Sequence, residues 1–142
     1  MITVSSILNR KNLPPVTVSP GTNVFKALQI MAEKNIGSVV VMKDNLYMGI
    51  MTERDYSRKI VLNNKHSDNT TVEEIMSVDL PSVHPGDSIE HCMEIMSRNN
   101  IRYMPVFEHK ELTGIISMSD VVKEIILNQK ETIIHLQSYI QQ

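Results

Sequence analysis

Two short stretches combine residue types that can do chemistry at a fixed spacing. They are Thr52-Glu53-Arg54-Asp55 and Ser117-Met118-Ser119-Asp120, each preceded by a glycine and two apolar residues. A hydroxyl followed three residues later by an acid is the capping-box pattern of a helix start, although the usual acid there is Glu or Gln. The same geometry has a second reading. A strand that ends at the hydroxyl and opens a helix offers backbone N–H groups and the positive end of the helix dipole to an anion. The hydroxyl can donate to a phosphate oxygen, and the carboxylate one turn on can accept both hydroxyls of a ribose. Gly49 admits backbone or ligand at close range because it has no Cβ. A phosphate handle and a ribose handle together specify a nucleotide.

Arg54 bears on the choice between these readings. A cation in the first turn of a helix is disfavoured by the dipole by roughly 0.3–1 kcal/mol, and a phosphate beside it offsets that cost. The alternative is a solvated Arg54 paired with Glu53 or a later acid. Ser119 and Met118 stand at the positions of Arg54 and Glu53 in the second stretch, so the two sites are not equivalent. Other chemistries find little support. The five histidines and single cysteine show no metal-ligand spacing, no nucleophile–base pair is legible, and no Gly-rich phosphate loop is present. Cys92 lies in an apolar stripe and reads as a small core residue without a disulfide partner. The acids of "VEEIM" read as the solvated face of a short helix. A net charge of -2 gives no pull toward nucleic acid or anionic lipid, and no apolar run approaches the ~18 residues of a membrane span. With no secretion signal visible at the N-terminus, a cytoplasmic protein is expected.

These stretches close two copies of one unit. Shifting the chain by 65 lays "VSPGTNVFKALQIMAEKNIGSVVV" from Val18 over "VHPGDSIEHCMEIMSRNNIRYMPV" from Val83 without a gap. Each copy reads as a short opening helix (Val4 to about Asn9, or Val72 to about Ser77), a brief strand, a helix, two strands and a last helix. The brief strands are Val16–Val18 and Val83–His84. The middle helices follow N-cap candidates Thr22/Asn23 and Asp87/Ser88 and end at Asn35 or Asn100. Their apolar stripes are Val24, Ala27, Leu28, Met31 and Ile89, Cys92, Met93, Met96. The expected organisation is repeat one over 1–63, a polar linker over 64–70, and repeat two with an extended C-terminal helix over 71–142. The expected fold class is α/β, with two pseudo-symmetric β-α-β-β-α repeats packed through their sheets. In the C-terminal helix, Val122, Ile126, Gln129, Ile133, Leu136 and Ile140 alternate steps of four and three. That heptad-like seam runs past what one small unit can cover, which favours an intermolecular contact and a homodimer.

The repeat, with "GIMTERD" and "GIISMSD" ending its copies, resembles the CBS domain, and the whole chain resembles the tandem pair known as a Bateman module. "NIGSVVVM", "GIMTERDYSRKI" and "NIRYMPVF" are similar to stand-alone two-copy CBS proteins. The resemblance implies a regulatory module, not an enzyme, that binds an adenine nucleotide: AMP first, with ATP, ADP, NAD(H) or S-adenosylmethionine as alternatives. It implies that Asp55 and Asp120 hold ribose and that Thr52 and Ser117 contact phosphate. It implies that Ile36-Gly37-Ser38-Val39 and Arg102-Tyr103-Met104-Pro105 wall the adenine, and that Thr17-Val18 and Val83-His84 read its edge through their backbone. Tyr103 replaces the histidine frequent in the family; it can stack on a base but supplies no imidazolium to a phosphate. Arg58 and Lys59 read as simple surface, and the resemblance adds a secondary phosphate role. Output would pass to an unknown effector protein or to the oligomeric state, without nucleic acid or membrane. The rival expectations are a dimerisation module with empty clefts and an enzyme that hydrolyses or transfers phosphate.

Overall fold

The computed structural model describes residues 2–141; Met1 and Gln142, the outermost residues of the expected repeats, lie outside the described residues. The chain divides into two compact units that cut across the repeats. One takes Met1–Leu13, Pro81–His109 and Thr113–Gln142, and the other takes Pro14–Leu80 and Lys110–Leu112. We call them the Asp120 unit and the Asp55 unit. The first repeat's opening helix therefore belongs to the second repeat's unit, and the second repeat's opening helix to the first.

In the Asp55 unit, β1 (Thr17–Val18) runs parallel to β2 (Ser38–Lys43), with Thr17 opposite Val40. Strand β3 (Leu46–Thr52) pairs antiparallel on the other side of β2. The hairpin turns at Asp44 and Asn45, both with positive φ, the twin left-handed conformations that a tight two-residue turn needs. Helix α2 (Val24–Lys34) starts where Asn23 accepts the Lys26 N–H at 2.7 Å and stops at left-handed Asn35. Its Val24, Ala27 and Met31 are buried in one cluster with Val39, Val41 and Met51, while Leu28 packs at the rim. After β3 comes α3 (Glu53–Tyr56), which widens into a π-helical turn at Ser57–Val61. Helix α4 (Val72–Ile75) is shorter than expected because Met76 is extended, which lets Ser77 pair with Ile50 of β3. The expected linker is partly built in: Ser67 O and Thr70 O accept the Phe25 and Val24 N–H groups, and Thr70 is buried.

The Asp120 unit repeats the plan with a different opening helix. Helix α1 (Val4–Lys11) runs two residues past the expected end and closes at left-handed Asn12. Helix α5 (Ile89–Asn99) is capped by Ser88 and ended by left-handed Asn100. Ile89, Cys92 and Met96 are buried, but Met93, expected in the same stripe, is exposed because the buried face is narrower than the apolar one. The expected strand at Val83–His84 is reduced to one parallel bridge between Val83 and Val106. Strands β4 (Tyr103–Glu108) and β5 (Glu111–Ser117) form a hairpin about His109 and Lys110, again both left-handed. Helix α6 (Met118–Gln141) follows directly.

The repeated glycines position the opening helices. A Cβ on Gly49 would lie 2.7 Å from the Ser77 carbonyl oxygen, and one on Gly114 would lie 2.7 Å from Leu8 Cδ2. Each glycine of the heptapeptide thus leaves room for the segment that docks against the strand. The close approach expected at Gly49 is made by backbone.

Candidate functional site

Every residue that the repeat and the resemblance single out falls in one unit or the other as a set. Thr17, Val18, Ile36 to Val39, Thr52, Arg54 and Asp55 lie in the Asp55 unit, and Val83, His84, Arg102 to Pro105, Ser117 and Asp120 lie in the Asp120 unit. Within these sets Asp55 is buried, as are Val18, Ser38, Val39, Val83, Met104 and Pro105. Val18 and Val39 belong to one hydrophobic cluster, and Val83 and Met104 to the other. Such positions can meet a ligand through backbone, not side chain. Thr17, His84 and Arg102 are exposed, and Ile36, Gly37, Thr52, Arg54, Tyr103 and Ser117 are half-buried.

Both capping patterns form. The Thr52 hydroxyl accepts the Asp55 N–H at 3.1 Å, and Asp55 Oδ2 accepts the Thr52 N–H at 2.9 Å. Likewise Ser117 Oγ accepts the Asp120 N–H at 3.0 Å, and Asp120 Oδ2 accepts the Ser117 N–H at 2.9 Å. The first helical N–H groups are also taken: Glu53 donates to Gly37 O and Met118 to Arg102 O. The free N–H groups expected for an anion are thus in good part consumed by the fold, which ties each helix start to the strand entrance opposite.

The two carboxylates nevertheless differ. Asp55 Oδ2 accepts from the Thr52 N–H and lies 3.0 Å from the Thr52 hydroxyl, while Oδ1 accepts from Ser77 Oγ at 2.9 Å and Lys59 Nζ at 3.0 Å. Its side chain is 7% exposed. Lys59 Nζ also donates to Ile75 O at 2.8 Å, holding the end of α4. Asp120 is 17% exposed, and the bonds it receives from the Ser117 N–H and from Lys11 Nζ, at 3.0 Å, both fall on Oδ2. Among the described residues Oδ1 of Asp120 keeps its accepting capacity. Lys11 Nζ also donates to Ile115 O at 3.0 Å. Beside this pair, Arg10 binds the buried Glu124 at 2.8 Å and Glu131 at 3.3 Å. The Glu124 hydrogen bond and charge push the Arg10 pKa up from its ordinary value.

Sequence reasoning missed Lys11 and Ser77. Lys11 stands 109 residues from Asp120, and only the exchange of opening helices brings them together. A signal was present at positions 59 and 124, which match at the shift of 65: Lys59 supplies the cation to its own aspartate, whereas Glu124 leaves that to the opening helix.

Comparison with known proteins agrees with this architecture. The family model described as CBS domain matches residues 4–62 and 72–127. The mitochondrial CBS domain-containing protein CBSX3 of Arabidopsis thaliana is 36% identical over 123 residues, which cover 83% of this chain. The chain spans 60% of the length of that relative. A putative signal-transduction protein with CBS domains from Burkholderia ambifaria MC40-6 superposes with a TM-score of 0.83 at 37% identity, covering 89% of this chain and 96% of that one. The CBS domain pair of protein MJ0100, solved with 5′-methylthioadenosine and S-adenosyl-L-methionine, gives a TM-score of 0.76 at 25% identity, covering 88% and 96%. Among the described residues no helix is long and apolar enough to cross a membrane.

Proposed function

Starting from a chain that belongs to the CBS-domain family as a tandem pair, we propose that it binds an adenine nucleotide and acts as a regulator, not an enzyme. AMP is the ligand proposed first, with ATP, ADP, NAD(H) and S-adenosylmethionine as its competitors. The observation that carries this reading is the Asp120 carboxylate. It is held at the start of a helix by Ser117 and Lys11 on one oxygen, and its other oxygen can accept a ribose hydroxyl. The adenosine-containing ligands of the MJ0100 pair support the class of ligand. Asp55 is the second ribose site in this reading and the weaker, because Ser77 and Lys59 must let go of Oδ1 first.

The test compares AMP with 2′-deoxy-AMP by calorimetry. Loss of a hydrogen bond to a charged group costs about 1.5–3 kcal/mol, roughly ten- to a hundredfold in affinity. Equal affinities for the two would reject the ribose role of the aspartates.

Output on this reading passes through assembly or an effector protein. Val122 and Ile126 are 46% and 44% exposed although Val121 and Glu124 on the same turns are buried, so the apolar seam points away from the helix's own packing side. From Asn128 to Ile140 every residue of α6 is exposed. An isolated helical stretch of that length is marginal in water, so a partner helix that covers the seam stabilises it. A second copy of this chain is the partner proposed. The same observation favours the second reading, a dimerisation module in which both aspartates only cap helices. Binding of no adenine nucleotide at millimolar concentration would leave that reading standing.

A further inference from the structure

We propose that Lys11 is the anion-binding residue of the Asp120 site, and that it makes the ligand of this site a phosphorylated nucleoside in preference to a neutral one. The inference rests on the nucleotide reading and goes further, since it assigns the charge of the ligand to a residue outside the repeated motif. Lys11 sits in the last turn of α1, where the helix dipole favours a cation. Its ammonium has three donors. One goes to Ile115 O and one to Asp120 Oδ2, both at 3.0 Å. The Lys11 side chain is about one-third exposed, which leaves the third donor open to solvent or ligand.

Side by side, then, stand an accepting oxygen, Asp120 Oδ1, and a donating ammonium whose position is fixed by two bonds. The first can accept from a ribose hydroxyl and the second can donate to a phosphate oxygen. The Ile115 carbonyl matters here. It keeps the ammonium at the carboxylate, so the Asp120 negative charge is already balanced before a ligand arrives. A bound phosphate then meets an ion pair in place of a bare carboxylate, and the repulsion between two anions is removed. Glu124 occupies the place of Lys59, so this unit takes the cation for its aspartate from the opening helix.

The experiment measures adenosine and AMP affinities calorimetrically on the full chain at one ionic strength. The variants are Lys11→Met, which keeps length and loses charge, Lys11→Arg, and Lys34→Met as a charge-matched control at an exposed position of α2. Wild type is expected to prefer AMP. Lys11→Met should lower that preference about tenfold or more by costing AMP more affinity than adenosine, Lys11→Arg should restore most of it, and Lys34→Met should leave it intact. Thermal melts of each variant confirm that the fold is retained. If AMP binds and Lys11→Met keeps the full AMP-to-adenosine ratio, the assignment of Lys11 is wrong while the nucleotide reading survives. Equal loss of both ligands shows a positioning role for α1 and overturns the assignment too. Binding of neither ligand by wild type overturns both.

Discussion

Ser77 Oγ donates to Asp55 Oδ1 at 2.9 Å, and among the described residues no corresponding bond reaches Asp120. With Lys59 on the same oxygen and Thr52 on the other, Asp55 serves as a clasp between the end of β3, the start of α3 and the segment after α4. The same residue type at the same repeat position is therefore asked chiefly for stability in one unit, and in our reading chiefly for ligand in the other.

The two aspartates should respond in opposite ways to truncation. Asp55→Ala removes the acceptor for several donors at a buried point and should lower stability by about 1–3 kcal/mol. Most of the AMP affinity should survive. Asp120→Ala should cost little stability and reduce AMP affinity about tenfold or more. Urea denaturation paired with calorimetry reads both quantities. Loss of AMP binding in Asp55→Ala with none in Asp120→Ala would reverse the assignment.

The glycines separate in the same manner. Gly49→Ala drives a methyl against the Ser77 carbonyl, which accepts the Ile50 N–H at 3.0 Å while the Ser77 N–H donates to Ile50 O at 2.8 Å, so the residue cannot yield without breaking this pairing. A loss of about 1–3 kcal/mol is expected, the range for overpacking a filled site. Gly114→Ala meets only the end of the Leu8 side chain, which can change rotamer. Its cost should be clearly smaller, and chemical denaturation of the two variants decides the order.

What was legible in the sequence was local. Asn23 and Ser88 as caps, Asn35 and Asn100 as left-handed stops, and the stripe Ile89, Cys92, Met96 depend on neighbours within a turn or two, so pattern reading finds them. The π-helical turn after Tyr56 has no such signature, and "RDYSRKIV" reads as plain helix. The exchange of opening helices was beyond reach for a different reason. Val4 and Val72 carry similar apolar faces in both repeats, and nothing in either face says which hairpin it will cover. Lys11 and Ser77 were lost with it, because their roles come from the strand they dock on.

Cys92 offers a probe of the Asp120 unit as a whole. Burial in the α5 face pushes its thiol up to about 11, with the nearby Asp87 charge adding to the shift. At pH 8 the thiolate fraction is then far below that of a free cysteine, and the side chain is also shielded from reagent. Alkylation by iodoacetamide should be slow in the folded protein and accelerate with denaturant in step with unfolding. Raising the pH toward 11 should increase the rate, since the thiolate is the reactive form. Fast labelling at pH 8 under native conditions would show that α5 opens locally or that the thiol is accessible.

The seam on α6 makes the assembly prediction specific. Ile133, Leu136 and Ile140 lie exposed along one side of a helix stretch that buries none of its described residues after Leu127. Each apolar side chain fully removed from water contributes about 1.5–3 kcal/mol, so covering these three with Val122 and Ile126 offsets the cost of association, and a dimer is expected at micromolar concentration. Two-fold homodimers are also the commonest closed assemblies. Ile133→Glu combined with Ile140→Glu places charges on the seam and should shift the protein toward monomer in sedimentation velocity. Because Asp120 and Lys11 sit at the opposite end of α6, AMP affinity of the double variant should change little. A wild type that sediments as a monomer at these concentrations would refute the dimer, and a double variant that remains dimeric would move the interface off this helix.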